Sequence, residues 1–198
     1  MSSEITDRAR LQASLDGISH SLKTDAAGTV MRPWVSAHLE RDTVAVSEFE
    51  QYGNAYEFRA DEAINRGGHA SAPSPMRYLL SSIAFCVLGW CAKSWAAADE
   101  PLFALEARVR TELDMRGEHR VDDAVPHPPW FVIEIIVEDK TAADVAITLA
   151  HDAIERCPVS SLMAAAVPVY LMLRQRGELI HDTRPEALRA EDREELTR

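Results

Sequence analysis

Along residues 4–22 apolar side chains recur at Ile5, Leu11, Leu15, Ile18 and Leu22 among polar neighbours. That near-helical spacing predicts an amphipathic helix packed on the outside, ending near Ala26-Ala27-Gly28. From Met31 to Ala60 the pattern shortens to alternation, Val44/Val46 and then Tyr56/Phe58/Ala60, which predicts strands with a hairpin turn at Gly53-Asn54. Gly67-Gly68 and Ala72-Pro73-Ser74-Pro75 close this region, and Pro75 to about Ala98 reads as one long helix. Ser74 can cap it, and Pro75 fits the first helical position, where a missing N–H costs nothing. Its middle, Tyr78 to Cys91, is apolar nearly all round, as expected of a helix surrounded by protein or lipid. The run of about 14 residues is shorter than the ~18 a membrane span needs, and Ser81 and Ser82 interrupt it, so a central core helix is expected.

Phe103, Leu105, Ala107, Val109, Leu113 and Met115 alternate with charged residues and predict a half-buried antiparallel strand over 103–115. After a loop with Pro126, Pro128 and Pro129, Trp130 to Val137 predicts a more apolar strand. Thr141-Ala142-Ala143-Asp144 has the capping-box pattern and should open a second helix, with Ala146, Leu149, Ala150, Ala153, Ile154 and Cys157 facing inward. Pro158 interrupts it, a short helical piece follows, and Pro168 to Leu173 reads as a last strand. Residues from Gly177 to Arg198 are highly charged and expected to cover a surface or fray. This order predicts an α+β fold with antiparallel sheet.

Composition narrows the function. The 198 residues suffice for a core without disulfide staples, and a net charge of −11 argues against nucleic acid or anionic lipid as partner. The first seven residues lack the basic start and apolar core of a secretory signal, which predicts a mature cytoplasmic chain. No two of the seven histidines stand four apart, and the three cysteines lack zinc spacing, so neither metal nor cofactor is expected. The chemistry then falls to the thiols. Cys86 is placed on an inward stripe with Leu79, Ile83, Val87 and Trp90, whereas Cys91 lies about 140° round the helix and reads as packing. Cys157, just before Pro158, can cap the next helical piece, where free N–H groups favour a thiolate. Two inward cysteines on two core helices are either inert packing or a peroxidatic and resolving pair, which would need a cation to activate the mid-helix thiol.

Gly67-Gly68-His69-Ala70-Ser71-Ala72-Pro73-Ser74-Pro75 followed by Leu79-Leu80-Ser81-Ser82-Ile83-Ala84-Phe85-Cys86 resembles the signature of the OsmC-like family, which includes organic hydroperoxide resistance proteins. Asp114-Met115-Arg116-Gly117 and Arg156-Cys157-Pro158-Val159-Ser160 are similar to its later landmarks. The resemblance implies antiparallel sheets around two central helices in an intertwined homodimer. It divides the chain into a helical extension (1–28), the family domain (29–176) and a charged tail (177–198). It further implies that Cys86 attacks an organic hydroperoxide, that Cys157 resolves it, that Arg41 activates the thiolate, and that a dithiol reductant such as a lipoyl group restores the pair. The substrate slot would be lined by Leu79, Phe85, Trp90 and Met76. Met76 stands where the peroxidase branches carry a Glu that orients the Arg. That departure leaves a second expectation open: a non-catalytic dimer that binds an apolar small molecule or senses oxidation.

Overall fold

The computed structural model describes residues 3–25 and 30–195, so the turn expected at Ala26-Ala27-Gly28 and the last three residues of the expected tail lie outside the described residues. The chain forms two compact units, one of residues 19–81 and one of residues 1–18 with 82–198. Helix α1 (Arg8–Thr24) begins in one and ends in the other, as does α2 (Pro75–Ala97). None of the side chains of α1 is fully buried, and Ile18 and Leu22 stay about half exposed.

The 19–81 unit holds an antiparallel sheet of β1 (Ser36–Arg41), β2 (Val44–Gln51) and β3 (Asn54–Ala60) in sequential order. The β2–β3 turn sits one residue earlier than the sequence suggests. Gln51 pairs with Asn54, so Tyr52 and Gly53 are the central residues, with φ of 53° and 75°. Positive φ at both positions is what a two-residue turn between right-twisted strands requires. Phe49 on β2 stacks on Tyr56 and meets Phe58 edge-on, with centroids 5.4 and 5.3 Å apart. Beyond β3, Asp61 is buried and organises the glycine-rich loop. Its carboxylate accepts from the Thr43 hydroxyl, the Glu62, His69 and Ser71 N–H groups and the Ser71 hydroxyl at 2.8–3.0 Å. These bonds, the Ser71 N–H foremost, hold its pKa far below the ordinary carboxylate range against the effect of burial. A Cβ on Gly68 would come within 2.0 Å of the Glu62 carbonyl oxygen, which accounts for the glycine.

The second unit carries the sheet β4 (Leu102–Thr111), β5 (Phe131–Asp139), β6 (Val169–Gln175) and β7 (Glu178–Asp182) in that order. The expected alternation holds on β4, but the strand stops at Thr111. Asp114 instead caps a one-turn helix, α3 (Met115–Glu118), by accepting from the Arg116 N–H. The expectation of a wholly antiparallel sheet fails at one pair: β5 and β6 run parallel, joined through α4 (Ala143–Arg156) and α5 (Pro158–Ala164). A helical crossover of this length is what parallel neighbours need. The capping box does not form. Ala142 occupies the cap without a side-chain bond, because the Thr141 hydroxyl donates to Glu100 at 3.0 Å. Residues read as a charged tail add β7, antiparallel to β6, and a helix, α6 (Glu186–Glu195).

Helix α2 is 23 residues long and, by length and composition, meets the requirement for a membrane span that the shorter apolar count denied it. Its buried stripe is Ile83, Val87, Cys91, Ser94 and Trp95, with Ala96 beside it, and protein surrounds that stripe. Ser94 donates to Asp152 of α4 at 2.7 Å, and the Trp95 indole N–H donates to Asp139 of β5 at 2.7 Å.

Candidate functional site: a thiol pair between two helices

The Ser94–Asp152 bond draws α2 and α4 together. Cys157 ends α4 and caps α5, because Pro158 cannot continue the ladder yet suits the first position of a new helix. Its sulfur, fully buried, accepts from the Ser160 N–H at 3.4 Å. Cys86, half-buried on α2, lies close enough to Cys157 and to the Val159 N–H for both to act on its thiol. The first turn of α5 therefore donates to the Cys157 sulfur and adjoins that of Cys86. The Ser160 hydroxyl beside it is buried without a hydrogen-bond partner among the described residues.

Electrostatics here oppose easy ionisation. Burial, then the hydrogen bond to Cys157, pushes the Cys86 thiol up to about 11, while the Val159 N–H and the Lys93 charge pull it down. Burial pushes Cys91 up to about 12. Lys93 Nζ lies 4.6 Å from the centroid of the Trp90 ring, and the guanidinium carbon of Arg156 lies 5.7 Å from it. Asp152 accepts from Arg156 at 2.9 Å, so the carboxylate that ties the helices together also holds the guanidinium that lies against Trp90.

The structure thus brings Cys86 and Cys157 together, with Trp90 one turn further along α2. It corrects the expected stripe: Cys91 is on the buried face with Ile83 and Val87, and Cys86 is on its flank. Phe85, expected in the slot, is 72% exposed in the single chain. Leu79 and Met76 are half-buried at the start of α2, within the 19–81 unit. Arg41 belongs to that unit as well, exposed at an irregularity in the β1–β2 pairing, next to a Glu40 that is ion-paired with Arg59. A cleft of about 1040 Å³ in that unit, lined in part by Met31, Trp34, Phe49 and Tyr56, contains none of the three cysteines. Lys93 is not singled out by the sequence, and Arg156 and Val159 enter there only as parts of a family landmark. The signal was there, since Lys93 follows Cys86 by two turns and Arg156 directly precedes Cys157. Among the described residues, no group of three or more His, Cys, Asp or Glu side chains is placed to hold a metal ion.

Comparison with known proteins agrees with this architecture. A crystal structure of an OsmC-like protein from Mycoplasma pneumoniae superposes with a TM-score of 0.60 at 15% identity, covering 73% of this chain and 98% of that one. An organic hydroperoxide resistance protein OsmC from Legionella pneumophila gives 0.54 at 16% identity over 74% and 98%. An organic hydroperoxide resistance protein from Elizabethkingia anophelis gives 0.57 at 14% identity over 75% and 99%. At these identities the likeness concerns the fold. No curated protein matches the sequence. The family model for OsmC-like proteins matches residues 68–172, more than half of the chain and the stretch that carries both Cys86 and Cys157. The chain belongs to the OsmC-like family.

Proposed function

We propose that this chain is a thiol-dependent peroxidase for organic hydroperoxides, with Cys86 as the attacking thiol and Cys157 as the resolving one. What supports the reading is the closeness of the two thiols, near enough for Cys157 to shift the Cys86 pKa, with the Ser160 N–H donating to the Cys157 sulfur at 3.4 Å. Cys86 gives up its proton and its thiolate attacks one peroxide oxygen. The O–O bond breaks, the alcohol leaves with a proton, and a sulfenic acid remains on Cys86. The Cys157 sulfur then attacks that sulfur, and the sulfenic oxygen departs as water. A dithiol, of the lipoyl type in this reading, returns two electrons and two protons to the disulfide.

A homodimer belongs to the same reading. Phe85 and Leu162, 72% and 66% exposed in the single chain, are large apolar side chains whose burial a second copy would favour. In this reading Phe85 and Trp90 line the substrate slot, and a second copy covers it. Arg41 as activator rests on the family resemblance alone, and Met76 in place of the family Glu leaves it without its usual partner. The Cys86 thiol pushed up to about 11 favours a second reading, an oxidation sensor or apolar-ligand binder whose thiols react slowly. Turnover separates the two. With cumene hydroperoxide and dihydrolipoamide, the peroxidase reading expects continuous hydroperoxide loss that disappears in Cys86→Ser. No loss above the enzyme-free rate supports the second reading.

A further inference from the structure

We propose that Lys93, seated on Trp90, is the cation that supports the Cys86 thiolate in this chain. This deepens the reading of Cys86 as the attacking thiol and rests on it. A mid-helix cysteine gains little from the helix dipole, so the charge must come from a side chain. Trp90 and Lys93 follow Cys86 by four and seven residues, which places them about 40° and 20° to either side of it on the same face of α2. Helical side chains lean toward the N-terminus, so the Lys93 stem runs back along α2 toward Cys86. The 4.6 Å contact between Lys93 Nζ and the Trp90 ring places the ammonium against a side chain one turn from Cys86, and cation–π attraction favours that position. The Lys93 charge lowers the Cys86 pKa, against burial and the Cys157 hydrogen bond that raise it. Arg156, the other cation on that ring, has its guanidinium committed to Asp152 at 2.9 Å, which leaves Lys93 as the cation on the ring without a carboxylate partner among the described residues. On ionisation the Cys86 proton passes to solvent, and the new negative charge faces the ammonium.

The test is the rate of Cys86 alkylation by iodoacetamide, followed by peptide mapping across pH in the reduced full-length chain. Lys93→Met should displace the pH–rate line upward in pH, slowing Cys86 about three- to tenfold at fixed pH. Lys93→Arg should restore it to within about twofold, and Trp90→Leu should lie between. Thermal melting shows whether each variant is folded. A folded Lys93→Met with the wild-type pH–rate line overturns the proposal. So does a larger displacement in Arg156→Gln than in Lys93→Met, which would give the role to Arg156. Alkylation needs no hydroperoxide, so an inactive wild type would defeat the peroxidase reading and leave this measurement standing on its own.

Discussion

Trp95, Asp139 and Gln175 form a buried polar cluster that fixes the C-terminal half of α2 to the sheet, and its removal can be worked through quantitatively. Trp95 is fully buried, Asp139 is 4% exposed and Gln175 is 2% exposed. One Asp139 oxygen accepts from the Trp95 indole at 2.7 Å and the other from the Gln175 amide at 2.6 Å. The same amide donates to the Thr141 carbonyl at 2.9 Å, which carries the tie to the start of α4. Trp95→Phe removes the indole N–H and strips a buried acceptor of one partner, costing about 2 kcal/mol. The smaller ring leaves about 40 Å³ unfilled, which at about 24 cal/mol per Å³ adds about 1 kcal/mol before any lost transfer energy. The expected total is about 3–4 kcal/mol. Asp139→Asn puts an amide donor against either the indole N–H or the Gln175 N–H and should cost about 2 kcal/mol. The two groups share one bond, so the double variant should fall short of the sum by about 1 kcal/mol. Urea unfolding at fixed protein concentration measures all three values. A cost below about 1 kcal/mol for Trp95→Phe, or strict additivity, would refute the claim that the cluster acts as one unit.

Asp61→Ala orphans the N–H groups of Glu62, His69 and Ser71. It should lower the melting temperature and open residues 62–74 to limited proteolysis, while an unchanged digestion pattern would contradict its role as organiser. Because its folded pKa is depressed, the stability Asp61 contributes is present above about pH 4 and is lost as pH falls through the folded value. His151 of α4 and His181 of β7 face each other with Nε2 atoms 2.9 Å apart. Burial, then the His151 charge, lowers the His181 pKa, with Asp182 opposing. The unfolded chain therefore binds the proton more readily, and melting temperature should fall as pH drops below about 6.5. His181→Gln should flatten that dependence, and a wild-type melting temperature that rises on acidification would refute the assignment.

Much of the architecture was legible because local rules decided it. Pro75 opens α2, alternation marks β4, and Cys157 before Pro158 caps α5 as its position suggests. The failures have physical causes. A helix that is apolar nearly all round carries no polar face to phase it, so the buried stripe through Cys91 could not be told from one through Cys86. Parallel pairing of β5 and β6 leaves no local trace, being set by the crossover through α4 and α5. Thr141 is recruited by Glu100, a partner 41 residues away, which no capping pattern anticipates. The charges of β7 hide a strand because it lies at the edge of the sheet, where polar residues are tolerated. At the site, the pair of thiols was legible from the two helices that carry it, whereas the Lys93–Trp90–Arg156 group depends on the ends of long side chains meeting across α2 and α4.

The claim on which the functional account turns is that Cys86 and Cys157 act as one redox unit. Reduced protein treated with one equivalent of cumene hydroperoxide should lose about 2 Da and yield a Cys86–Cys157 linked peptide, while Cys157→Ser should instead gain one oxygen on Cys86. Oxidation confined to Cys91, or a Cys86 that remains a free thiol after prolonged exposure, would contradict it.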